Sequence, residues 1–153
     1  MTLKIPCGLY RTTLAIEDDI QPGMLVYYHN HGDPGPGVYT PHDWVNNRVI
    51  FHDNGTTVPN EQYAESLEPL LPEGLYRVVR EFYCCEDKCQ HFEKDLLVQL
   101  GYNGDAEAIL FVPAMVDAEL RFPESGSIVE PWKLKQIAAL IVPEEDPEPA
   151  DLN

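Results

Sequence analysis

Two stretches of the chain gather side chains that could hold a metal or act as nucleophiles. The densest is Cys84-Cys85-Glu86-Asp87-Lys88-Cys89-Gln90-His91. Zinc takes four soft or imidazole ligands in a tetrahedron, and a hairpin bend can deliver them. The spacing argues against that chemistry here. Adjacent cysteines on a strand point to opposite faces, and the run is not a paired Cys-x-x-Cys. Cys84, Cys85, Cys89 and His91 are therefore only weak zinc candidates. A disulfide is a second reading, and reduced thiols with no special role are the expected one. The other stretch is His29-Asn30-His31, where strand alternation places two imidazoles on one face. His42 or His52 could add a third ligand only through the fold, so a solvated loop is expected there. No metal or other cofactor is expected.

Nucleophilic chemistry finds less support. The serines are Ser66, Ser125 and Ser127, and no Gly-x-Ser-x-Gly surrounds them. No glycine-rich loop opens a helix in the manner of a phosphate cradle. Carboxylates are abundant, but an acidic surface always offers pairs, so abundance identifies none. These features point to a non-enzymatic protein.

Charge narrows the choice of partner. The 153 residues carry 10 Lys plus Arg against 26 Asp plus Glu, a formal net charge of −16. Such a surface repels nucleic-acid phosphate, which needs basic side chains to release its counterions. Nucleic acid and anionic membranes are thus excluded as favoured partners, and a basic protein or peptide is attracted. Hydrophobic residues make up 44% and charged residues 24%, as in a soluble globular protein. With no apolar run of about 20 residues and no signal-like opening, a cytoplasmic location is expected. Residues 143–153 carry five acids and no base, and a disordered acidic tail is expected there.

The elements that position these residues repeat. Gly8-Leu9-Tyr10-Arg11 recurs as Gly74-Leu75-Tyr76-Arg77, and Phe51-His52-Asp53-Asn54-Gly55-Thr56-Thr57-Val58 aligns with Phe122-Pro123-Glu124-Ser125-Gly126-Ser127-Ile128-Val129. Two related units, 5–72 and 73–142, are inferred. In the first, β-branched and aromatic runs at 8–16, 24–30, 37–40, 48–52 and 56–58 read as strands between turn formers. The second repeats the scheme at 75–84, 95–102, 108–112, 118–122 and 127–129. A helical turn near 61–67 closes the first unit, and a helix over about 131–141 closes the second. The expected fold is mainly β: two tandem, small, five-stranded barrels with a short C-terminal helix. Units of this size are marginal alone, so they should pack together and unfold as one. Trp44, beside a long turn-rich insertion, should be partly exposed, and Trp132, opening the closing helix, more buried.

The first unit resembles the Src-homology-3 family of small barrels over about 60 residues. Gly8-Leu9-Tyr10-Arg11-Thr12 stands in the place of that family's opening Ala-Leu-Tyr-Asp-Tyr strand. Glu17-Asp18-Asp19 matches its acidic loop, Asp43-Trp44 its third-strand Trp, and Gly55 through Val58-Pro59 to Tyr63 its closing motif. Thr12 and Val45 depart from the pattern. The resemblance implies a peptide-binding groove formed by Tyr10, Trp44, Pro59 and Tyr63, with Glu17, Asp18 and Asp19 selecting a basic residue in a Pro-rich ligand. The functional expectation is a protein- or peptide-binding module. An acidic inhibitor or immunity-type protein covering a basic target surface is the alternative. A weaker alternative starts from Gly23 and His29-Asn30-His31, which resembles the Gly-x5-His-x-His opening of cupin metal enzymes but lacks the downstream Glu.

Overall fold

The computed structural model describes residues 5–31, 35–141 and 143. The expected acidic tail at 143–153 therefore lies, apart from Pro143, outside the described residues. The first half runs β1 (Gly8–Arg11), β2 (Leu25–His29), β3 (Gly37–Tyr39), β4 (Pro41–Val45), β5 (Arg48–Phe51), β6 (Thr56–Thr57), helix α1 (Glu61–Ser66) and β7 (Glu68–Pro69). The second runs β8 (Gly74–Val78), β9 (Phe82–Tyr83), β10 (His91–Phe92), β11 (Leu97–Tyr102), β12 (Ala108–Phe111), β13 (Ala114–Val116), β14 (Glu119–Arg121) and β15 (Ser127–Val129). A 3-10 helix (Pro131–Gln136) and β16 (Ile137–Ala139) complete it. The protein is mainly β, as expected.

Two five-stranded antiparallel sheets carry the architecture, in the orders β6-β3-β2-β1-β7 and β15-β12-β11-β8-β16. In each, the strand carrying one Gly-Leu-Tyr-Arg copy pairs with the central strand, Gly8 opposite Tyr28 and Gly74 opposite Leu100. The Tyr10 hydroxyl donates to the Pro6 carbonyl and the Tyr76 hydroxyl to the Pro72 carbonyl, both at 2.7 Å. The repeated Phe-to-Gly segments have a steric reason for their glycines. A Cβ on Gly55 would lie 2.7 Å from the Val38 carbonyl, and one on Gly126 would lie 2.6 Å from the Leu110 carbonyl.

Closed barrels do not form. Among the described residues each sheet is open, and β4–β5 and β13–β14 stand apart as two-stranded hairpins. The expected C-terminal helix is also corrected. Only Pro131–Gln136 is helical, as a 3-10 segment, and Ile137–Ala139 instead pairs with β8. The free edge of β8 offers ladder hydrogen bonds that a helix could not use, and strand alternation still buries Ile137 while exposing Ala138. Trp132, expected to be buried, is 58% exposed.

The cores divide by strand alternation. Val26 and Tyr28 point into a cluster with Tyr10, Ile20, Val38, Tyr63 and Leu67. Leu25, on the opposite face of β2, joins the larger cluster formed by the second half, and Leu9, Val49 and Phe51 pack against its margin. The Leu25 amide also donates to the Gly104 carbonyl at 2.9 Å. The two halves are therefore packed together through both apolar and backbone contacts.

Candidate functional site

The residues expected to form an aromatic groove lie in different environments. Tyr10 and Tyr63 are 4% and 3% exposed, in the same core cluster. Burial pushes both phenols above their ordinary pKa, and the Tyr63 hydroxyl donates to the Leu14 carbonyl at 2.9 Å. Rings packed this way offer no open face to a peptide. Tyr63 is held by its helix: the Asn60 side chain caps α1 and accepts from the Tyr63 amide at 2.8 Å. Pro59 is exposed just before that cap. Glu17, Asp18 and Asp19 are exposed at a turn closed by paired Ile16–Ile20 backbone bonds. Buried Thr12, standing where the family has Tyr, fixes the base of this loop. Its hydroxyl donates to the Gln21 carbonyl at 2.6 Å and accepts from the Met24 amide at 2.9 Å.

Trp44 lies elsewhere, on the β4–β5 hairpin. This hairpin turns through Asn46 and Asn47, both left-handed with φ of 54° and 66°. Two consecutive left-handed residues form the tight turn whose twist matches that of paired strands. The tip is seated on the second half. The Trp44 indole donates to the Tyr102 carbonyl at 2.8 Å, and the Asn47 amide donates to Gln99 Oε1 at 3.0 Å and to the Pro123 carbonyl at 2.9 Å. Gln99 returns a bond to the Asn46 carbonyl at 3.1 Å, and the Val49 amide donates to Glu73 Oε2 at 3.0 Å. Burial holds the Glu73 carboxyl above the ordinary range, against the opposing pull of that amide and of Arg48. Trp44 is 40% exposed, with the Cη2 edge of its ring 3.9 Å from where a Cβ on Gly104 would lie.

The β13–β14 hairpin has the same build and a different fate. Its turn residues, Asp117 and Ala118, are left-handed with φ of 53° and 66°. All six residues of its strands are exposed, Met115 to 66%, together with Val116 and Leu120; Phe122 just beyond is also exposed. Asp117 and Glu119 place acid at the tip, and Glu119 accepts from Arg121 at 3.1 Å. Scattered exposed apolar residues are ordinary, but Met115 and Leu120 pair across one face of this short hairpin, with Val116 beside Glu119 on the other, a concentration of the kind used in recognition. The sequence reading missed this surface, since it placed a strand at 118–122 and none at 114–116. The signal was there: Met115-Val116 and Leu120 flank Asp117-Ala118 as Trp44-Val45 and Val49 flank Asn46-Asn47.

The cysteine run forms a small hairpin of its own, with β9 paired to β10. Cys84 is buried and contacts Cys85 at 3.5 Å between sulfurs. His91 turns away to Glu81, 2.8 Å from Nε2, and lies against the Tyr83 ring. His42 and His52 pack edge to face with each other. A cleft of about 830 Å³ at the seam between the halves is lined by Trp44, Asn47, Glu73, Gln99, Phe122 and Glu124, among others. The chain matches no known protein-family model, no curated protein and no solved structure. Among the described residues, no helix is long and apolar enough to cross a membrane.

Proposed function

We propose that the protein is a non-enzymatic binding module that captures a basic protein partner through the β13–β14 hairpin. The observation that carries this reading is the contrast between two hairpins of one build. Both hairpins carry exposed apolar side chains, but β4–β5 is fastened to the neighbouring sheet by the Trp44, Asn47 and Gln99 bonds, whereas β13–β14 presents Met115, Val116 and Leu120 with no such anchor at its turn among the described residues. Burying each such side chain against a partner is worth about 1.5–3 kcal/mol before the costs of association. Asp117, Glu119 and the net charge of −16 supply the attraction for a basic surface. Trp44, Pro59 and the Glu17-Asp18-Asp19 turn are exposed as well, each on its own element.

The same reading takes the chain as two tandem units of Src-homology-3-like type. Its support is the repeated strand order, the repeated tyrosine-to-carbonyl bond and the paired glycines under the Phe-to-Gly segments. An inhibitor of immunity type, lying on a basic target, is the second reading, favoured by acids at the tip of an apolar finger.

Capture from lysate with the parent chain and with the double variant Met115→Asp, Leu120→Asp tests the site. Both positions are exposed, so the variant should melt with the parent and lose the captured protein. Equal capture by the two proteins would sink the proposal. Elution by high salt would favour the charge-driven inhibitor, and retention the apolar contact.

A further inference from the structure

We infer that Cys7, His29 and His31 form a binding site for a single zinc-like divalent transition-metal ion at the end of the first sheet. Cys7 immediately precedes β1 and His29 ends β2, and the pairing of Gly8 with Tyr28 brings these two termini side by side. His31, two residues beyond His29, brings its ring to 4.2 Å from the His29 ring, centroid to centroid. One ligand atom from each of the three residues lies within 4.8 Å of the others. Bonds of about 2.3 Å to sulfur and about 2.0–2.1 Å to nitrogen make the sulfur–nitrogen edge of a tetrahedron roughly 3.6 Å. Cys7 Sγ and His29 Nδ1 are separated by 3.6 Å. The remaining edges close with about an ångström or so of movement by an exposed imidazole.

Asn30 organises the site from beneath. Its side-chain amide donates to the Ile5 carbonyl at 3.0 Å, and its backbone amide donates to Cys7 Sγ at 3.3 Å. Metal takes a cysteine as its thiolate, and the Asn30 amide fixes where that sulfur sits. Asn30 Oδ1 lies 2.6 Å from His31 Nδ1. It accepts that nitrogen's proton and leaves Nε2 as the ring's lone-pair donor, the orienting role that outer partners play around metal sites. The Cys7 thiol donates to the same Oδ1 at 3.4 Å, so Asn30 touches all but one of the three ligands. One thiolate and two imidazoles suit zinc or cobalt and not calcium or magnesium, which take oxygen ligands. Three protein ligands with the third exposed leave a fourth position for water or an incoming ligand.

The test is titration of the untagged, metal-free full chain with Zn²⁺ and with Co²⁺. Saturation at one ion per chain is expected, with a thiolate-to-cobalt charge-transfer band in the near ultraviolet. Cys7→Ser should abolish the band, and the triple variant Cys84→Ser, Cys85→Ser, Cys89→Ser should keep it. His31→Gln, at an exposed position where folding is not at stake, should weaken binding at least tenfold. Zinc should raise the melting temperature of the parent and not that of Cys7→Ser. Binding that persists in Cys7→Ser, disappears in the triple variant, or fails to saturate at one equivalent overturns the assignment.

Discussion

Replacing Gly101 by Ala probes the seam between the halves more sharply than any change of a large residue. A Cβ at this position would lie 2.8 Å from the Asn47 carbonyl oxygen and 3.3 Å from the Phe111 ring. The first contact is with backbone, so no rotamer change relieves it, and the β4–β5 hairpin must move. A small shift costs about 1–3 kcal/mol as overpacking. A full lift breaks the two Asn47 bonds and the Gln99 bond, each worth about 0.5–1.5 kcal/mol net. We expect about 2–4 kcal/mol in total, a fall of roughly 4–16 °C in melting temperature for a chain of this size. Gly104→Ala is the control, since its Cβ would meet only Trp44 at an ordinary 3.9 Å. The local event is visible in Trp44 emission, measured in a Trp132→Phe background, which should move to the red as the indole leaves the Tyr102 carbonyl. If Gly101→Ala melts and emits like its parent, or Gly104→Ala loses as much stability, hairpin seating does not stabilise the protein as argued.

Further outcomes follow from the strained and shifted groups. Ala118→Gly should stabilise the chain by about 0.5–1 kcal/mol, because Ala118 holds a left-handed φ of 66° that glycine adopts without strain; an unchanged melting temperature would show the turn to be unstrained. The folded chain keeps the Glu73 proton to higher pH than the unfolded chain, so this residue's contribution to stability falls as pH rises through its raised range. Glu73→Gln should therefore melt above the parent at pH 7, with the gap closing as pH drops toward that range, and a pH-independent gap would count against it. Hydrogen bonding from the Cys84 thiol, then from the Asp87 and Cys89 amides, holds the Cys85 thiol below its ordinary pKa. Iodoacetamide at neutral pH should alkylate Cys85 before buried Cys84 and before Cys89, whose thiol is pushed up by its hydrogen bond to Cys85; mass mapping with Cys89 first would contradict this.

Strand alternation and internal repetition were the legible features. Gly8-Leu9-Tyr10-Arg11 and Gly74-Leu75-Tyr76-Arg77 do begin corresponding strands, and residues 25–29, 37–39 and 127–129 are strands near their expected bounds. Turns were less legible. Asn46-Asn47 and Asp117-Ala118 carry consecutive left-handed residues without glycine, so glycine counting passes over them and over β4 and β13. Asn54-Gly55 is by residue type a hairpin signal, yet it links β5 to β6, which belong to different sheets. Periodicity at Leu134, Ile137 and Ile141 suggested a helix because it cannot register the open edge of β8. For the candidate sites the limit was topological. Nothing local in the sequence joins Cys7 to His29 or Trp44 to Tyr102; only the β1–β2 register and the seating of the first hairpin do.

One register difference connects the metal site to the bare hairpin. Gly8 faces Tyr28 as Gly74 faces Leu100, so His29 occupies on β2 the place that Gly101 occupies on β11. Gly101 leaves the space in which the Asn47 carbonyl of the first hairpin sits. At the corresponding place, His29 fills that space with an imidazole directed at Cys7. The second hairpin likewise lacks the groups that seat the first, with Ala118 where the first has Asn47 and Met115 where it has Trp44. A second copy of this chain thus offers the β13–β14 finger neither the cavity nor the amide partners of the in-chain contact. On the proposed reading its apolar face is addressed to a different protein.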